Sequence, residues 1–411
     1  MQRISQIDWD KGDKSGLVSI GSHKLYLSVS GPDRKPGQPI AILMQGLGST
    51  IDEWVAVREL VLPFARWLNY DRSGMGKSEG PGQTPPSISA ASVAAELDVL
   101  LKNAGIEPPF IIVAHSWGGY TSREFLELRP SDIVGMVFVD CNTESLFDNG
   151  VWGWDVFNPV LGEQDFVETT GLVTSHVLSE VEWKAVKEEQ ANPRHKATEA
   201  AEMQEMPNDR LALVSKKQLE RLPLRNYPVS VIIANTPGDF QKMYDFGVAA
   251  GNGTEEERAL FRKYLDRWRE MNEDWQRELL KLSCLNRSVR LCCSHNVQLV
   301  QPQSIVQEIR QQKFRMQVKF LKKNIEVIIG GHAISSGDSA ITSQLLIPRS
   351  MSLNDKGRGP PWSIPACKPA IVSLAPRAGL AIPFRKYALN KTKQSPLRMI
   401  EIPAISLWVM W

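Results

Sequence analysis

The chain has 411 residues, enough for one large domain with extensions or for two domains. Apolar residues make up 42% and charged residues 23%, as in an ordinary globular enzyme, and a formal net charge of +2 carries no nucleic-acid signal. The charge is uneven, because residues 312–411 hold 15 Lys/Arg against 4 Asp/Glu, a net of +11 that leaves −9 on residues 1–311. The five cysteines are odd in number and contain no C-x-x-C pair, so neither a disulfide framework nor a thiolate zinc site is expected, and a reducing compartment fits best. The opening "MQRISQIDWDKGDKSG" lacks an apolar core and does not read as a signal peptide. No apolar run reaches the ~18–20 residues that cross a bilayer. A soluble, cytoplasmic protein with no membrane span and no nucleic-acid partner is the expectation.

In chain order, "KLYLSVSG" (24–31) alternates at period two and ends at a Gly-Pro turn, as a strand does. "PIAILMQG" (39–46) is a continuous apolar run, the mark of a strand buried on both faces. "FARWLNYDRSGMGKS" places a short strand before a Gly-rich loop. "SISAASVAAELDVLLKNA" (87–104) has helical spacing and stops at Gly105. "PFIIVAHS" is a buried strand, "GGYTSREFLELRP" a helix, and "DIVGMVFVD" a strand again. This β-α-β alternation predicts a mostly parallel, doubly wound α/β sheet.

Residues 143–223 change character. They are rich in Trp, Glu, Lys and Ala, and "TEAAEMQEM" and "LALVSKKQLERLPL" read as two helices of a helical insertion. "PVSVIIANTPGDF" then restores a buried strand, a long helix follows over 255–282, and "SVRLCCSH" and "QPQSIVQEIRQQ" close the pattern with a strand and a helix. The core is thus expected over 1–142 and 224–311. Beyond 312 nine prolines interrupt any helical or strand period. The reading there is an irregular basic tail, disordered or loosely packed, with a polybasic surface for anionic partners or a stretch that is no native extension as alternatives.

The chemistry centres on "VAHSWGGY" (113–120). A serine between a strand and a helix is pushed into the open above the sheet, and small neighbours permit the tight turn; the esterase elbow reads G-x-S-x-G, with Ala114 here in place of the first glycine. A serine hydroxyl needs a base to take its proton and backbone donors for the oxyanion formed on attack. "QGLGST" (45–50) follows a strand with a Gly-rich turn, which makes the Leu47 amide the candidate second donor beside that of Trp117. His295, in "CSHNVQLVQ", sits after the last strand and before the last helix, where an imidazole can reach over the strand ends. Acid and histidine both follow the serine in the chain.

Over residues 15–311 the chain resembles the α/β-hydrolase superfamily, on "QGLGST", "YDRSGMGKSEGP", "AHSWGG", "VFVD" and "SHNVQL". "YDRSGMGKSEGP" is similar to that family's D-x-R-G-x-G-x-S loop with Ser73 for a glycine, and Asp71 and Arg72 there read as turn-bracing residues. By the same resemblance 143–223 correspond to a lid. The resemblance offers two triad acids. Asp140 ends the strand after the nucleophile helix and is favoured, and Asp239 follows the next strand as the alternative. His115 cannot serve its own neighbour and reads as packing; His176 and His195 could at most touch substrate, and His332 is set aside. No Cys/His cluster suggests a metal, no cofactor is implied, and the Gly-rich loops lack a phosphate-binding lysine. Serine at the elbow argues against the Asp-nucleophile branches of the family.

The expectation is a serine hydrolase acting on an ester, thioester or lactone of a small molecule. The stretch "NGVWGWDVF" points either to an apolar or aromatic substrate pocket or to lid core. Alternatives are acyltransferase or cyclase chemistry at the same site, and a non-catalytic ligand receptor of this fold.

Overall fold

The structure is a computed structural model and describes residues 7–80, 87–146 and 154–315. Its strands are β1 (Lys14–Ser19), β2 (Lys24–Ser30), β3 (Ile40–Met44), β4 (Arg66–Tyr70), β5 (Phe110–His115), β6 (Ile133–Val139), β7 (Val229–Ile233) and β8 (Asn286–Arg290). They form one sheet in the order β1-β2-β4-β3-β5-β6-β7-β8. β1–β2 and β2–β4 are antiparallel, and every pairing from β4 through β8 is parallel.

The helices are α1 (Val55–Val61), α2 (Ala90–Ala104), α3 (Gly118–Leu128), α4 (Trp154–Leu161), α5 (Phe166–Thr169), α6 (Leu172–Ser175), α7 (Glu180–Ala191), α8 (Pro193–Lys216), α9 (Gln218–Arg221), α10 (Thr236–Ala249), α11 (Glu255–Arg277) and α12 (Val297–Val300), with a last helical segment over 302–315. The apolar strand runs are explained by their two faces. Ile40, Ile42 and Met44 of β3 join Leu97 and Leu101 of α2 and Phe125 of α3, whereas Ala41 and Leu43 join Val57 and Val61 of α1 and Ile305 and Ile309 of the last helix. Alternate residues feed opposite layers, so the period-two signal vanishes from the hydropathy pattern. α2 starts on the Ser89 side chain, which accepts from the Ser92 amide, and stops at Gly105 in the left-handed region.

Helices α4 to α9 lie between β6 and β7. Two helices were expected around "TEAAEMQEM" and "LALVSKKQ"; the structure has a single 24-residue α8 running through Pro207. An interior proline costs about 3 kcal/mol. Burial on both sides of it, from His195 to Leu213, holds the helix together. The buried stripe of α8 comprises His195, Glu199, Glu202, Met206, Asp209 and Leu213, at helical spacing but mostly polar.

The last helical segment continues to residue 315, past the expected limit at 311. Gln312 is 1% exposed and its Nε2 donates to Ser230 Oγ at 2.9 Å. Among the described residues no helix is long and apolar enough to cross a membrane. Cys141, Cys284 and Cys293 are free thiols. His332 and most of the "NGVWGWDVF" stretch lie outside the described residues.

Candidate active site

Only two residues separate β5 from α3, and the turn closes through Ser116 at φ 54. A left-handed conformation in a non-glycine residue costs on the order of 1–3 kcal/mol and persists where its surroundings impose it. Here the Ser116 amide donates to Val139 O at 3.2 Å, and its carbonyl accepts from the amides of Gly119 at 2.9 Å and Asn142 at 3.0 Å. The two glycines after Trp117 are steric requirements. A Cβ on Gly118 would lie 2.2 Å from Met44 O, and one on Gly119 would lie 2.7 Å from Cys141 Cβ and 2.8 Å from Asn142 O. α3 thus packs backbone to backbone against the ends of β3 and β6. Ser116 is fully buried and its Oγ has no hydrogen-bond partner among the described residues.

His295 lies beyond β8, as its place in the sequence implied. Its Nδ1 is 2.6 Å from Asp140 Oδ2, and its Nε2 is buried without a partner among the described residues. Asp140 stands at the end of β6, also with positive φ (45°), and its Oδ1 accepts from the Ala234 amide at 2.9 Å while Oδ2 accepts from the Thr236 hydroxyl. Burial opposes its ionisation, but the hydrogen bonds and charge of His295, with Thr236 and Ala234, outweigh burial and hold the carboxyl below the usual range.

The alternative acid, Asp239, is in the first turn of α10 and does not meet the imidazole. Its Oδ2 accepts from the His295 amide at 3.0 Å and Ser294 Oγ at 2.8 Å, so it anchors the loop that carries the histidine. Burial raises its pKa, against those hydrogen bonds. His115 packs under His295, ring centroids 4.6 Å apart, and its Nε2 donates to His295 O at 3.1 Å. Burial, then the neighbouring imidazole, pushes its pKa down to about 3, so it stays neutral.

Leu47 lies in the turn after β3, and Trp117 immediately precedes α3. No hydrogen bond among the described residues takes up either amide. Trp117 is held from both sides: its Nε1 donates to Asp209 Oδ2 at 2.9 Å, and the Arg72 guanidinium stands 5.3 Å from its ring centroid. A narrow cavity of about 20 Å³ lies against Leu47, Glu53 and His115, walled by Leu172 and Trp183 of the insertion. His176 stacks on Trp183, with centroids 4.1 Å apart.

Sequence reasoning missed the acids around the Leu47 turn. Arg72 forms a buried bidentate pair with Glu202 of α8 (Nε–Oε1 2.7 Å, Nη2–Oε2 2.9 Å). Burial lowers the Arg72 pKa, but Glu202 outweighs it and the net shift is upward. Glu53 accepts from Ser49 Oγ at 2.7 Å, and burial pushes its carboxyl up to about 7. Glu199 lies against Gly48, and burial, then the charges of Glu202 and Glu53, push it up to about 8. The signal that could have found them is the acidic spacing 199, 202, 209, which lies on one face of α8. Among the described residues no three His, Cys, Asp or Glu side chains converge to hold a metal ion.

The family model of the alpha/beta hydrolase family matches residues 41–308. An AB hydrolase superfamily protein of Gibberella zeae is 32% identical over 309 residues, 72% of this chain and 94% of that protein. A protein of Hormonema carpetanum described as "Probable transporter efuK" is 30% identical over 311 residues, 72% of this chain but only 42% of that longer protein. Among solved structures, wild-type Cfl2 of Burkholderia cenocepacia shares the fold at a TM-score of 0.50 and 13% identity, over 74% of this chain and 97% of that one. With the sheet order, the left-handed serine between β5 and α3, and the histidine beyond β8, these matches place the chain in the α/β-hydrolase family.

Proposed function

We propose that the chain is a serine hydrolase that cleaves an ester, thioester or lactone of a small apolar or aromatic molecule through an acyl-enzyme on Ser116. The reading rests on one observation above the rest. A buried imidazole is held by a carboxylate at Nδ1 (2.6 Å to Asp140), while its Nε2 and the Oγ of a left-handed serine are both buried and unpartnered among the described residues. Among those residues neither atom is committed to another group, and a nucleophile and its general base must be uncommitted in this way before a substrate binds.

In this mechanism Ser116 Oγ attacks the substrate carbonyl carbon as His295 Nε2 takes its proton. Asp140 fixes the tautomer and stabilises the imidazolium. The Leu47 and Trp117 amides receive the oxyanion, and His295 then protonates the leaving oxygen or sulfur. A water deprotonated by His295 frees the acid from the acyl-enzyme. The helices over 143–223 act as the lid, and their Leu172 and Trp183 beside Leu47 favour an apolar acyl or leaving group.

The test is a burst of product from p-nitrophenyl acetate together with labelling by a fluorophosphonate probe. Ser116→Ala is expected to abolish both and to lower kcat by about 10⁴–10⁶-fold. Equal background rates for wild type and Ser116→Ala across a broad ester panel would sink the reading.

A further inference from the structure

We propose that Arg72, clamped by Glu202 from the insertion helix α8, is the positioning residue that aims the Leu47 amide at the oxyanion, with Glu202 positioning Arg72 in turn. This rests on the serine-hydrolase reading above. It gives the pair a role in the chemical step beyond bracing a turn.

The Gly46 carbonyl and the Leu47 N–H belong to one planar trans unit, so they point in opposite directions and neither turns without the other. Arg72 Nη2 donates to that carbonyl at 2.9 Å. The Ser49 amide donates to it as well, at 3.2 Å. Fixing Gly46 O therefore fixes the direction of the Leu47 N–H, and a guanidinium on the carbonyl polarises the unit and makes its N–H a stronger donor.

The next peptide is fixed from the other side. The Gly48 N–H donates to Glu202 Oε2 at 3.0 Å. The two peptide units that flank Leu47 are thus held by the two halves of one ion pair. Gly48 itself sits at φ +66, in the left-handed region that favours glycine, with the Glu199 side chain packed against it. Arg72 also lies over the ring of Trp117, whose amide is the other proposed donor.

The side chains of Arg72 and Glu202 are 2% and 0% exposed. Burying such a pair is commonly no better for stability than apolar packing, so stability alone is a weak account of it. Geometry is a stronger one. A planar fork can grip a carboxylate with two nitrogens and still turn one N–H toward a carbonyl, which a lysine ammonium cannot reproduce. Because Glu202 comes from α8, the insertion takes part in assembling the oxyanion pocket as well as covering it.

The test uses the full chain and compares Arg72→Lys and Glu202→Gln with Arg123→Lys, which disturbs a buried pair with Glu144 away from the turn. Thermal midpoint, kcat and KM on p-nitrophenyl acetate, and affinity for a trifluoromethyl ketone that forms an oxyanion adduct are measured for each. Arg72→Lys is expected to lower kcat by about 10–100-fold with KM within about threefold, and to weaken the ketone by a similar factor. Glu202→Gln keeps an acceptor for the Gly48 amide but loses the charge that holds Arg72, and is expected to lower kcat by about 3–10-fold. Arg123→Lys is expected to lower the thermal midpoint with kcat within about twofold. If Arg72→Lys does not fold, Glu202→Gln carries the test.

The proposal is overturned if the folded variants at 72 and 202 keep kcat and ketone affinity within about twofold of wild type. It is equally overturned if Arg123→Lys loses as much kcat as they do. A wild type that bursts and labels at Ser116 while ignoring Arg72 refutes this inference alone. A wild type that does neither refutes the hydrolase reading on which it stands.

Discussion

Asp140 and Asp239 both reach His295, but at different atoms: Asp140 Oδ2 lies 2.6 Å from the ring Nδ1, while Asp239 Oδ2 accepts from the backbone amide at 3.0 Å. One carboxylate can set the tautomer and charge of the imidazole; the other sets where its loop lies. Asp140→Asn is therefore expected to lower kcat by about 10³–10⁴-fold with little change in KM. Asp239→Asn, which keeps an oxygen acceptor for the loop amide, is expected to lose less than about tenfold in kcat and a few degrees of thermal midpoint. Steady-state kinetics of the two variants decide it, and a crippled Asp239→Asn beside a healthy Asp140→Asn would reverse the assignment.

Glu199 makes stability depend on pH in an unusual direction. Its carboxyl titrates near 8 in the fold, against about 4.5 when exposed. Between those values the folded chain binds the proton and the unfolded chain does not. Stability from this group is fully present below about 4.5 and falls as pH rises toward 8. Asp140 runs the other way: its lowered pKa gives stability that is present above the ordinary carboxylate range and is lost as pH falls through the folded value. The thermal midpoint of wild type is expected to decline from pH 5 to 9, and Glu199→Gln to flatten that decline. An unchanged slope in the variant would show that Glu199 is already ionised at pH 7.

The glycines of the elbow give a steric prediction. Gly118→Ala forces a methyl to 2.2 Å from Met44 O, a backbone atom that cannot swing away. It should destabilise the fold by about 1–3 kcal/mol or more and reduce fluorophosphonate labelling by displacing α3 from β3. Ala114→Gly, which creates the usual first glycine of the elbow, should by contrast keep labelling within about twofold and lower stability by only about 0.5–1 kcal/mol. Thermal melts and probe labelling of both variants test the pair. Normal stability in Gly118→Ala would mean that the close packing of α3 on β3 is wrong.

The end of the core is testable by truncation. Gln312 is buried against Ser230, and Lys313 Nζ donates to Phe64 O. We expect a chain ending at residue 315 to label at Ser116 like the full chain, and one ending at 311 to melt several degrees lower. Loss of labelling in the 315 truncation would place part of the remaining basic segment within the domain.

Much of the architecture was readable along the chain because it is local. Runs such as "AILM" and "FIIVAH" have to be buried on both sides, and the glycine pair after Trp117 has to be where a helix meets a strand. The places of Ser116 and His295 follow from that order, the first right after β5 and the second in the loop beyond β8. Tertiary structure alone decided which carboxylate faces the ring. Asp140 and His295 are 155 residues apart, and Asp140 right after β6 and Asp239 in the first turn of α10 both precede the histidine in the chain; only the folded placement of each side chain distinguishes them. It also decided the meaning of α8. Its acids look like a solvated face until Arg72, 130 residues earlier, and the Gly48 and Trp117 groups are found beneath them. Hydropathy reports whether a face is polar, but whether that polarity meets water or a buried guanidinium depends on which surface folds over it.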